Sequence, residues 1–444
     1  MLTSGHTISL AIEKPAAGGR MIARVDGQVV LVSGAIPGER VTARVEKASK
    51  SVAYAETVAV EEASPDRRAV SGDPLCGGCL YSHIAYARQL EIKSQVIADA
   101  FTRIGRMTLP SPIAVAASPE DGYRMRARLH VRGSRLGFFR EGTHDVCDAR
   151  QTRQLLPASV DALEGLMANM RALGVEGIHE IELAENLDAS DRAVALDMTA
   201  AADARALEGL ASTAGLTGLA TPYGVHGRVH VVDRLDLGEG RTVELRRHVL
   251  AFFQGNRHLL APLVTHVVGQ VPEESDLLDL YAGVGLFSIA AAVVRRARVT
   301  AVEGDRIAAA DLEANATAAG GAVVPIHQSV EEFLGPAKAG RHGEDEVRGV
   351  RLQADPESRG VQLQLDRPRI VIVDPPRTGM SREALDGALA LRASRLIYVS
   401  CDVATLARDA RRIVDTGYAL TRADAFDMFP NTPHVETVVT FDRI

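Results

Sequence analysis

Residues 277–288, LLDLYAGVGLFS, begin as an apolar strand, turn at two glycines and continue into a helix pattern. A second strand pattern, RVTAVEGD over 298–305, follows one helix later. Three further strand patterns continue the rhythm: RIVIVDPPRTG (369–379), RLIYVSCD (395–402) and VETVVTFDRI (435–444). Alternating strands and helices predict a parallel sheet. The region from residue 246 onward is therefore predicted to be α/β and Rossmann-like.

The glycine-rich turn predicts a ligand at the carboxyl end of the first strand. Asp279 precedes Gly283 and Gly285, and glycines let the backbone approach a ligand closely. A dinucleotide fingerprint would need a third glycine where Ser288 stands, which disfavours a pyrophosphate clamp. Glu303 ends the next strand, where its carboxylate can accept both hydroxyls of a ribose. The pattern favours S-adenosylmethionine binding, with a nicotinamide oxidoreductase as the alternative.

Other strand ends carry further chemistry. Asp374 follows the strand RIVIV and precedes two prolines, so it lies where open α/β sheets bind ligands. Cys401 ends the strand RLIYVS and precedes a helix, a position predicted to lower the pKa of a thiol. Glu436 opens the last strand. A thiol and a carboxylate on adjacent strand ends predict a nucleophile and a base.

The first 60 residues predict a small all-β barrel. Short alternating runs are separated by turn signals, among them Asp26-Gly27 and Pro37-Gly38. An amphipathic helix pattern, YARQLEIKSQVIADAFTRI, then leads into a β-rich middle section. Three domains are predicted: 1–62, a barrel; 63–245, a central RNA-binding domain with a CGGC segment; and 246–444, the α/β domain. The charged stretch at about 337–367 interrupts the last domain and is predicted to be an inserted surface loop.

Within the middle section, YRMRARLHVRGSRLGFFR (123–140) predicts a strand with one cationic face. The residues on that face are Arg124, Arg126, Arg128, His130 and Arg132. Such a row is either a phosphate-binding face or an ordinary solvated strand. Four aromatic residues are candidates for stacking on a base, and the alternative for each is a place in the core: Tyr123, Phe138, Phe139 and Phe429.

Composition excludes several classes of protein. The chain has 444 residues, 46% of them hydrophobic, with a formal net charge of −7 and four cysteines. It can bury full cores, so a mainly disordered protein is excluded. No chain-wide positive field attracts nucleic acid, so any RNA-binding surface must be local. Four cysteines are too few for a disulfide scaffold, and no segment resembles a signal peptide or membrane span; the chain is predicted to be cytoplasmic, without membrane contact.

The segment IPGERVTARVEKASKSVAYAETVAVEEASPDR (36–67) resembles a TRAM domain, an OB-like barrel found on RNA-modifying enzymes. Six further segments, in order, resemble the RNA uracil-C5 methyltransferase family: AFFQGN, DLYAGVGLFS, VEGD, DPPRTG, YVSCDVATLARD and FPNTPHVE. The resemblance implies a class I methyltransferase domain that uses S-adenosylmethionine. It assigns to the methyl donor Gln254, Tyr281, Gly283, Leu286, Glu303 and Asp374, with Ser329 near the adenosine.

The resemblance also implies a mechanism. The sulfur of Cys401 adds to C6 of uracil, C5 takes the methyl group, and Glu436 removes the C5 proton. The target uridine must be unpaired or flipped out of its stem. The RNA substrate is expected to be 23S rRNA, because a TRAM domain and CGGC occur together, with tRNA as the alternative. The protein is expected to be a monomer; a non-catalytic RNA-binding or ribosome-assembly protein is the alternative from another class.

The chain departs from the family at a cluster of cysteines. Many TRAM-bearing members hold an iron–sulfur cluster on four cysteines, of which Cys76 and Cys79 match. Val70 and Thr152 stand at the other two positions, and Cys147 lies five residues before Thr152. A four-cysteine cluster is therefore not expected. Cys147 could join the matching pair with Asp73 as a fourth ligand, for a cluster or for zinc, or the site could be an empty remnant.

Overall fold

The computed structural model describes residues 2–70, 72–199, 203–335 and 368–444. The predicted loop at 337–367 lies outside these ranges. Within these ranges the strands form three sheets of six or more strands and one two-stranded sheet. None of the helices in the described ranges is both long enough and apolar enough to cross a membrane.

The N-terminal region is all-β, as predicted. Its strands are β1 (Thr7–Ala11), β2 (Lys14–Pro15), β3 (Met21–Val25), β4 (Gln28–Ser33), β5 (Arg40–Ala48) and β6 (Val52–Glu62). They form one sheet in the order β1-β5-β6-β4-β3-β2, and within the described ranges no ladder between β1 and β2 closes it. Asp26 and Gly27 form the predicted hairpin turn, with Val25 paired to Gln28. Alternate residues of β5 point into the core, among them the fully buried Val41 and Ala43.

The middle of the chain forms a second six-stranded sheet with two covering helices. Its elements, with those that flank it, are α1 (Tyr86–Arg103), β7 (Val115–Ala116), β8 (Arg126–Arg132), β9 (Arg135–Gly137), α2 (Pro157–Ala172), β10 (Ile178–Glu185), β11 (Arg192–Met198), α3 (Ala204–Ala211), β12 (Gly218–Thr221) and β13 (Gly224–Gly227). The strand order is β13-β12-β11-β10-β8-β9. A separate hairpin joins β14 (His230–Asp236) to β15 (Thr242–His248).

The C-terminal region is the predicted α/β sheet. Its elements are α4 (Leu260–Val268), β16 (Asp276–Leu280), α5 (Leu286–Arg295), β17 (Arg298–Glu303), α6 (Arg306–Ala318), β18 (Val323–His327), α7 (Val330–Leu334), β19 (Ile370–Val373), α8 (Arg382–Ala390), β20 (Arg395–Ser400), α9 (Val403–Asp415), β21 (Tyr418–Phe426) and β22 (Glu436–Arg443). The strand order is β18-β17-β16-β19-β20-β22-β21-β7. Strands β16 to β20 are parallel, and β22 runs antiparallel to both of its neighbours.

This topology fixes where a ligand can bind. The chain runs outward from β16 through β17 to β18, then returns to add β19 and β20 on the other side of β16. Open α/β sheets bind ligands at the carboxyl ends of the strands where the order reverses. The crevice beside β16 and β19 is therefore the expected site. The proposed domain boundaries stay predictions: β6 ends at Glu62, whereas β15 continues through residue 246.

Candidate active site

A cavity of about 610 Å³ opens at the carboxyl ends of β16 and β19. Eight of the nine residues predicted for catalysis and donor binding line it: Gln254, Tyr281, Gly283, Leu286, Glu303, Asp374, Cys401 and Glu436. The ninth, Ser329, is not among the lining residues; it caps α7 instead, where its hydroxyl accepts the N–H of Glu332. Six chain segments thus converge on one crevice, four of them at the carboxyl ends of the parallel strands β16, β17, β19 and β20.

The glycine-rich turn shapes one wall of the cavity. Tyr281 and Gly283 both have positive φ, +61° and +56°, so the chain turns sharply as it leaves β16. At Gly285, a Cβ would meet the side chain of Leu312 at 2.8 Å. Glu303 accepts the N–H of Gly283 at 2.7 Å and that of Asp305 at 2.6 Å. Its carboxylate is held rigidly at the cavity wall, with lone pairs left for a ribose diol.

Two carboxyl groups with raised pKa lie at this wall. Asp279 is buried outside the lining; Ser288 donates a hydrogen bond to its Oδ2, and within the described residues its Oδ1 has no partner. Asp374 is half-buried, lines the cavity and accepts a hydrogen bond from Nε2 of Gln254 at 3.3 Å. Burial raises the pKa of both Asp279 and Asp374 to about 7, and the charge of Asp279 adds to the rise at Asp374. A positively charged ligand in the cavity, such as a sulfonium, would favour the ionised forms of these groups.

Cys401 and Glu436 are brought together by the register of two strands. In the antiparallel ladder of β20 and β22, Ser400 lies opposite Thr437, so the next residue outward on each strand is Cys401 and Glu436. Glu436 is buried, and within the described residues its Oε1 has no hydrogen-bond partner. Burial, followed by the negative charge of Asp374, raises the pKa of Glu436 well above its usual range.

The prediction that a helix N-terminus lowers the pKa of Cys401 is wrong for the unliganded protein. Burial raises the pKa of the thiol to about 12, and the charge of Glu436 adds to the rise. The side chain of the N-cap residue of that helix, Asp402, accepts the N–H of Thr405. The thiol is therefore neutral at pH 7 without ligands.

Sequence reasoning gave no role to Arg377, the residue after the two prolines. The structure places it at the cavity wall, where its positive charge opposes the rise in pKa of both Cys401 and Glu436. Arg377 forms no ion pair with any described residue, and its side chain is exposed. The motif DPPR placed Arg377 just after a strand. It did not show how close Arg377 lies to the thiol of Cys401, because that distance depends on the pairing of β19 with β20.

The aromatic residues divide between core and cavity. Tyr123 and Phe138 are buried, so they belong to the core. Phe139 is half-buried and stacks on His130, with ring centroids 3.5 Å apart. Phe429 lines the cavity. Sequence reasoning missed Phe252 at the cavity mouth, which is 61% exposed and lies under the guanidinium of Arg126 at 5.6 Å.

The cationic row has the predicted alternation but not a free phosphate-binding face. Buried residues alternate with partly exposed ones along β8. The neighbouring strand β10 supplies acids: Glu182 pairs with Arg128 at 2.7 Å and with Arg126 at 3.3 Å, and Glu180 pairs with His130 at 3.1 Å. These acids neutralise much of the row, which favours the ordinary strand over the phosphate-binding face.

The cysteines do not form the predicted metal site. Cys76 and Cys147 are joined in a disulfide, with Cα atoms 5.8 Å apart. Cys79 stays a buried free thiol near the carbonyl oxygen of Asp73, and the carboxylate of Asp73 is taken by Arg140. Within the described ranges, no group of three or more His, Cys, Asp or Glu residues is arranged to hold a metal ion. The assignment of Cys76 and Cys79 as metal ligands is therefore corrected, because one thiol is already consumed in a bond to Cys147.

Comparison with known proteins agrees with this site. The family described as tRNA (Uracil-5-)-methyltransferase matches residues 225–444, and the TRAM domain matches residues 2–58. The 23S rRNA (uracil(1939)-C(5))-methyltransferase RlmD of Pseudomonas entomophila is 31% identical over 99% of this chain and 94% of its own length. The protein of that name from Methylococcus capsulatus is 32% identical over 98% of this chain and 97% of its own length.

Solved structures show the same fold. The tRNA (uracil-54, C5)-methyltransferase of Pyrococcus abyssi, solved with S-adenosyl-L-homocysteine, superposes with a TM-score of 0.71 at 21% identity. The match covers 97% of this chain and 99% of the archaeal one. Identity above 30% along the full length of two relatives establishes the relationship. The chain therefore belongs to the S-adenosylmethionine-dependent RNA uracil-C5 methyltransferase family, with a TRAM domain at its N-terminus.

Proposed function

We propose that this protein methylates C5 of a specific uridine in 23S rRNA through a covalent bond between Cys401 and C6 of the base. The observation that carries the proposal is the β20–β22 register, which brings Cys401 and Glu436 to one end of one cavity. A thiol beside a carboxyl group that has no other partner is the arrangement that nucleophilic catalysis with proton removal requires.

The methyl donor is assigned to the opposite wall. Glu303 is positioned for the ribose hydroxyls, and Gly283 and Leu286 form the turn and helix start beside it. Asp374, Gln254 and Tyr281 line the same cavity as Cys401, and Gln254 donates to Asp374. S-adenosylmethionine supplies there an electrophilic methyl group on a positively charged sulfur.

The residues of the chain then act on the uracil. The thiol of Cys401 gives up its proton to solvent, and the thiolate forms a bond to C6 while the C5–C6 π electrons move onto O4 as an enolate. C5 then bonds to the methyl carbon as the carbonyl at C4 re-forms, and the bond between that carbon and the donor sulfur breaks, leaving its electron pair on the sulfur. Glu436, as carboxylate, removes the C5 proton; the C5–C6 double bond forms again and the C6–S bond breaks. Arg377 favours the anionic forms of both Cys401 and Glu436.

The substrate is the finer part of the proposal. Several relatives that align over nearly the whole chain are named as 23S rRNA enzymes, which favours ribosomal RNA. Transfer RNA is the second candidate, because the matching family and the archaeal structure are both described by tRNA. In either RNA the uridine must be flipped out to reach the cavity. The cytoplasmic location and monomeric state stay predictions.

The test is transfer of labelled methyl groups to unmodified 23S rRNA and to unmodified tRNA by the wild type and by Cys401→Ala. We expect 5-methyluridine, identified by nucleoside mass spectrometry, in 23S rRNA with the wild type alone. Product in tRNA alone would show that tRNA, and not 23S rRNA, is the substrate. Product with Cys401→Ala would refute the covalent mechanism. Donor binding without transfer to either RNA would indicate a different acceptor or a missing metal, and no donor binding would favour the non-catalytic RNA-binding alternative.

A further inference from the structure

The loop that leads into Glu436 is held by side chains from the other end of the chain. This loop, residues 427–435, joins β21 to β22; we call it the base loop, after the proposed general base Glu436 that follows it. The side chain of Glu436 does not hold itself in place, since its Oε1 lacks a partner among the described residues. The position of its carboxyl group therefore depends on the backbone at the start of β22 and on the base loop.

Asn431 is the residue of the base loop with the most contacts of this kind. It is 9% exposed and has a φ of +63°, a conformation that Asn tolerates better than most residues. Its Oδ1 accepts hydrogen bonds from Nη2 of Arg68 at 2.7 Å and from Nε2 of Gln89 at 2.9 Å. Its backbone N–H donates to Oε1 of Gln89 at 3.0 Å, and its carbonyl oxygen accepts the N–H of Tyr81 at 2.8 Å.

Neighbouring contacts secure both sides of Asn431. Lys93 on α1 pairs with Asp427 at 2.5 Å, both side chains almost fully buried, and donates to the carbonyl oxygen of Phe429 at 3.1 Å. The hydroxyl of Tyr123 donates to the carbonyl oxygen of Pro430 at 3.4 Å. A loop of nine residues is thereby fixed by side chains more than 300 residues away in sequence.

We infer that Asn431 is a positioning residue for the reaction: the acceptor Oδ1, held by Gln89 and Arg68, sets the base loop so that Glu436 faces the C5 proton. The inference rests on the proposed role of Glu436 as base. Asn431 itself is not among the residues that line the cavity. A displacement of the base by about 1 Å is enough to lower a rate about 100-fold.

The chemistry supplies a readout specific to this role. If the base is misplaced, Cys401 still adds to C6 and C5 is still methylated, but the C5 proton stays and the C6–S bond does not break. The enzyme then accumulates as a covalent complex with RNA that survives denaturing electrophoresis. A merely unstable protein would form less of this complex, not more.

The test compares five variants with the wild type, using full-length protein, S-adenosylmethionine and the RNA that the wild type methylates. Asn431→Ala loses the acceptor and is expected to lower kcat about 10-fold to 100-fold, leave KM and donor affinity within about twofold, and accumulate the complex. Asn431→Asp keeps an acceptor oxygen and is expected to restore most of kcat. Gln89→Met removes the partner and should resemble Asn431→Ala, which preserves the test if the alanine variant does not fold.

Asn186→Ala is the matched control. Asn186 is also buried, and its side chain donates to Ser190 and to the carbonyl of Val232, neither of which belongs to the base loop. It should lower stability without accumulating the complex. Accumulation with Asn186→Ala, or none with Asn431→Ala and Gln89→Met, would overturn the inference. Glu436→Gln distinguishes failure of the proposed function from failure of this inference. If Glu436→Gln accumulates no complex, the proposed role of Glu436 as base is wrong. If Glu436→Gln alone accumulates the complex, only the positioning role of Asn431 is wrong.

Discussion

Ser400 lies directly opposite Thr437 in the antiparallel ladder between β20 and β22. Strand β22 runs antiparallel to β20, so the start of β22 and the end of β20 lie at the same edge of the sheet. A parallel β22 would have placed Glu436 at the opposite edge, about one strand length away. The antiparallel final strand is thus what allows a residue 35 positions later to serve the same cavity as Cys401.

Arg377 is predicted to set the acidity of the nucleophile. Its positive charge opposes the burial that raises the pKa of Cys401 to about 12. Arg377→Met should raise that pKa further, so that less thiolate is present at any pH below about 12. We expect alkylation of Cys401 by iodoacetamide at pH 8.5, followed by peptide mass spectrometry, to slow about tenfold, the effect of about one pKa unit. Arg382→Met, at an exposed site on α8, is the control, and equal rates in the two variants would contradict the role.

Donor binding is predicted to strengthen as the pH rises through 7. Burial raises the pKa of both Asp279 and Asp374 to about 7, so both are largely protonated at pH 5.5 and ionised at pH 8.5. A cationic ligand favours the ionised forms, so binding releases protons and its affinity rises with pH over this window. Titration calorimetry with S-adenosylmethionine from pH 5.5 to 8.5 measures it.

Asp374→Asn should flatten this pH dependence as well as weaken binding. Asp276→Asn, at the other end of β16 and paired with Arg298 on the surface, should leave the profile unchanged. A profile that is flat in the wild type, or as steep in Asp374→Asn as in the wild type, would show that these carboxyl groups stay ionised in the free protein.

The α/β sheet and the membership of the site followed from local patterns. Strands β16, β17, β19 and β20 are apolar runs, and functional residues stand at their carboxyl ends. Asp374, Cys401 and Glu436 could therefore be assigned to strand ends without coordinates, whereas Gln254 was assigned through the family resemblance. The antiparallel direction of β22 did not follow, because a strand has the same pattern of side chains in either direction.

Effects that depend on distance between segments did not follow from the sequence. The helix start after Cys401 predicted a low pKa, but burial and the nearby Glu436 raise it. The cationic row on β8 looked free until the register with β10 placed Glu182 opposite Arg128. A run of charged residues indicates which side chains share one face of a strand. Whether their charge is neutralised depends on the partner strand, which here lies more than 50 residues away in sequence.

The Cys76–Cys147 disulfide is predicted to form in air-oxidised protein and to stabilise the fold. Its two residues are 71 positions apart, so the cross-link restricts a long loop of the unfolded chain. Cys147→Ser should lower the free energy of unfolding by about 4 kcal/mol under oxidising conditions and by much less with reductant. Thiol titration in denaturant should give two free thiols, Cys79 and Cys401, without reductant. Four free thiols together with bound iron or zinc would show a metal site instead.

Phe252 is predicted to hold a base of the RNA at the cavity mouth. An aromatic ring that is 61% exposed carries an unfavourable hydration free energy, and the guanidinium of Arg126 over one part of it orients the ring beside the entrance. Stacking of a nucleobase on such a ring contributes about 1–3 kcal/mol. Phe252→Ala should therefore weaken RNA binding about 5-fold to 100-fold, whereas Phe252→Tyr should keep most of the affinity because it keeps the ring.

Val225→Ala, at an exposed site on β13, controls for loss of apolar surface. Fluorescence anisotropy with a labelled RNA fragment measures all three, and donor affinity should stay unchanged in each. If Phe252→Ala binds RNA as tightly as Val225→Ala does, the ring contacts protein or solvent in the complex and the base that enters the cavity stacks elsewhere. The other aromatic residues in the lining are Phe253, Tyr281, Phe287 and Phe429.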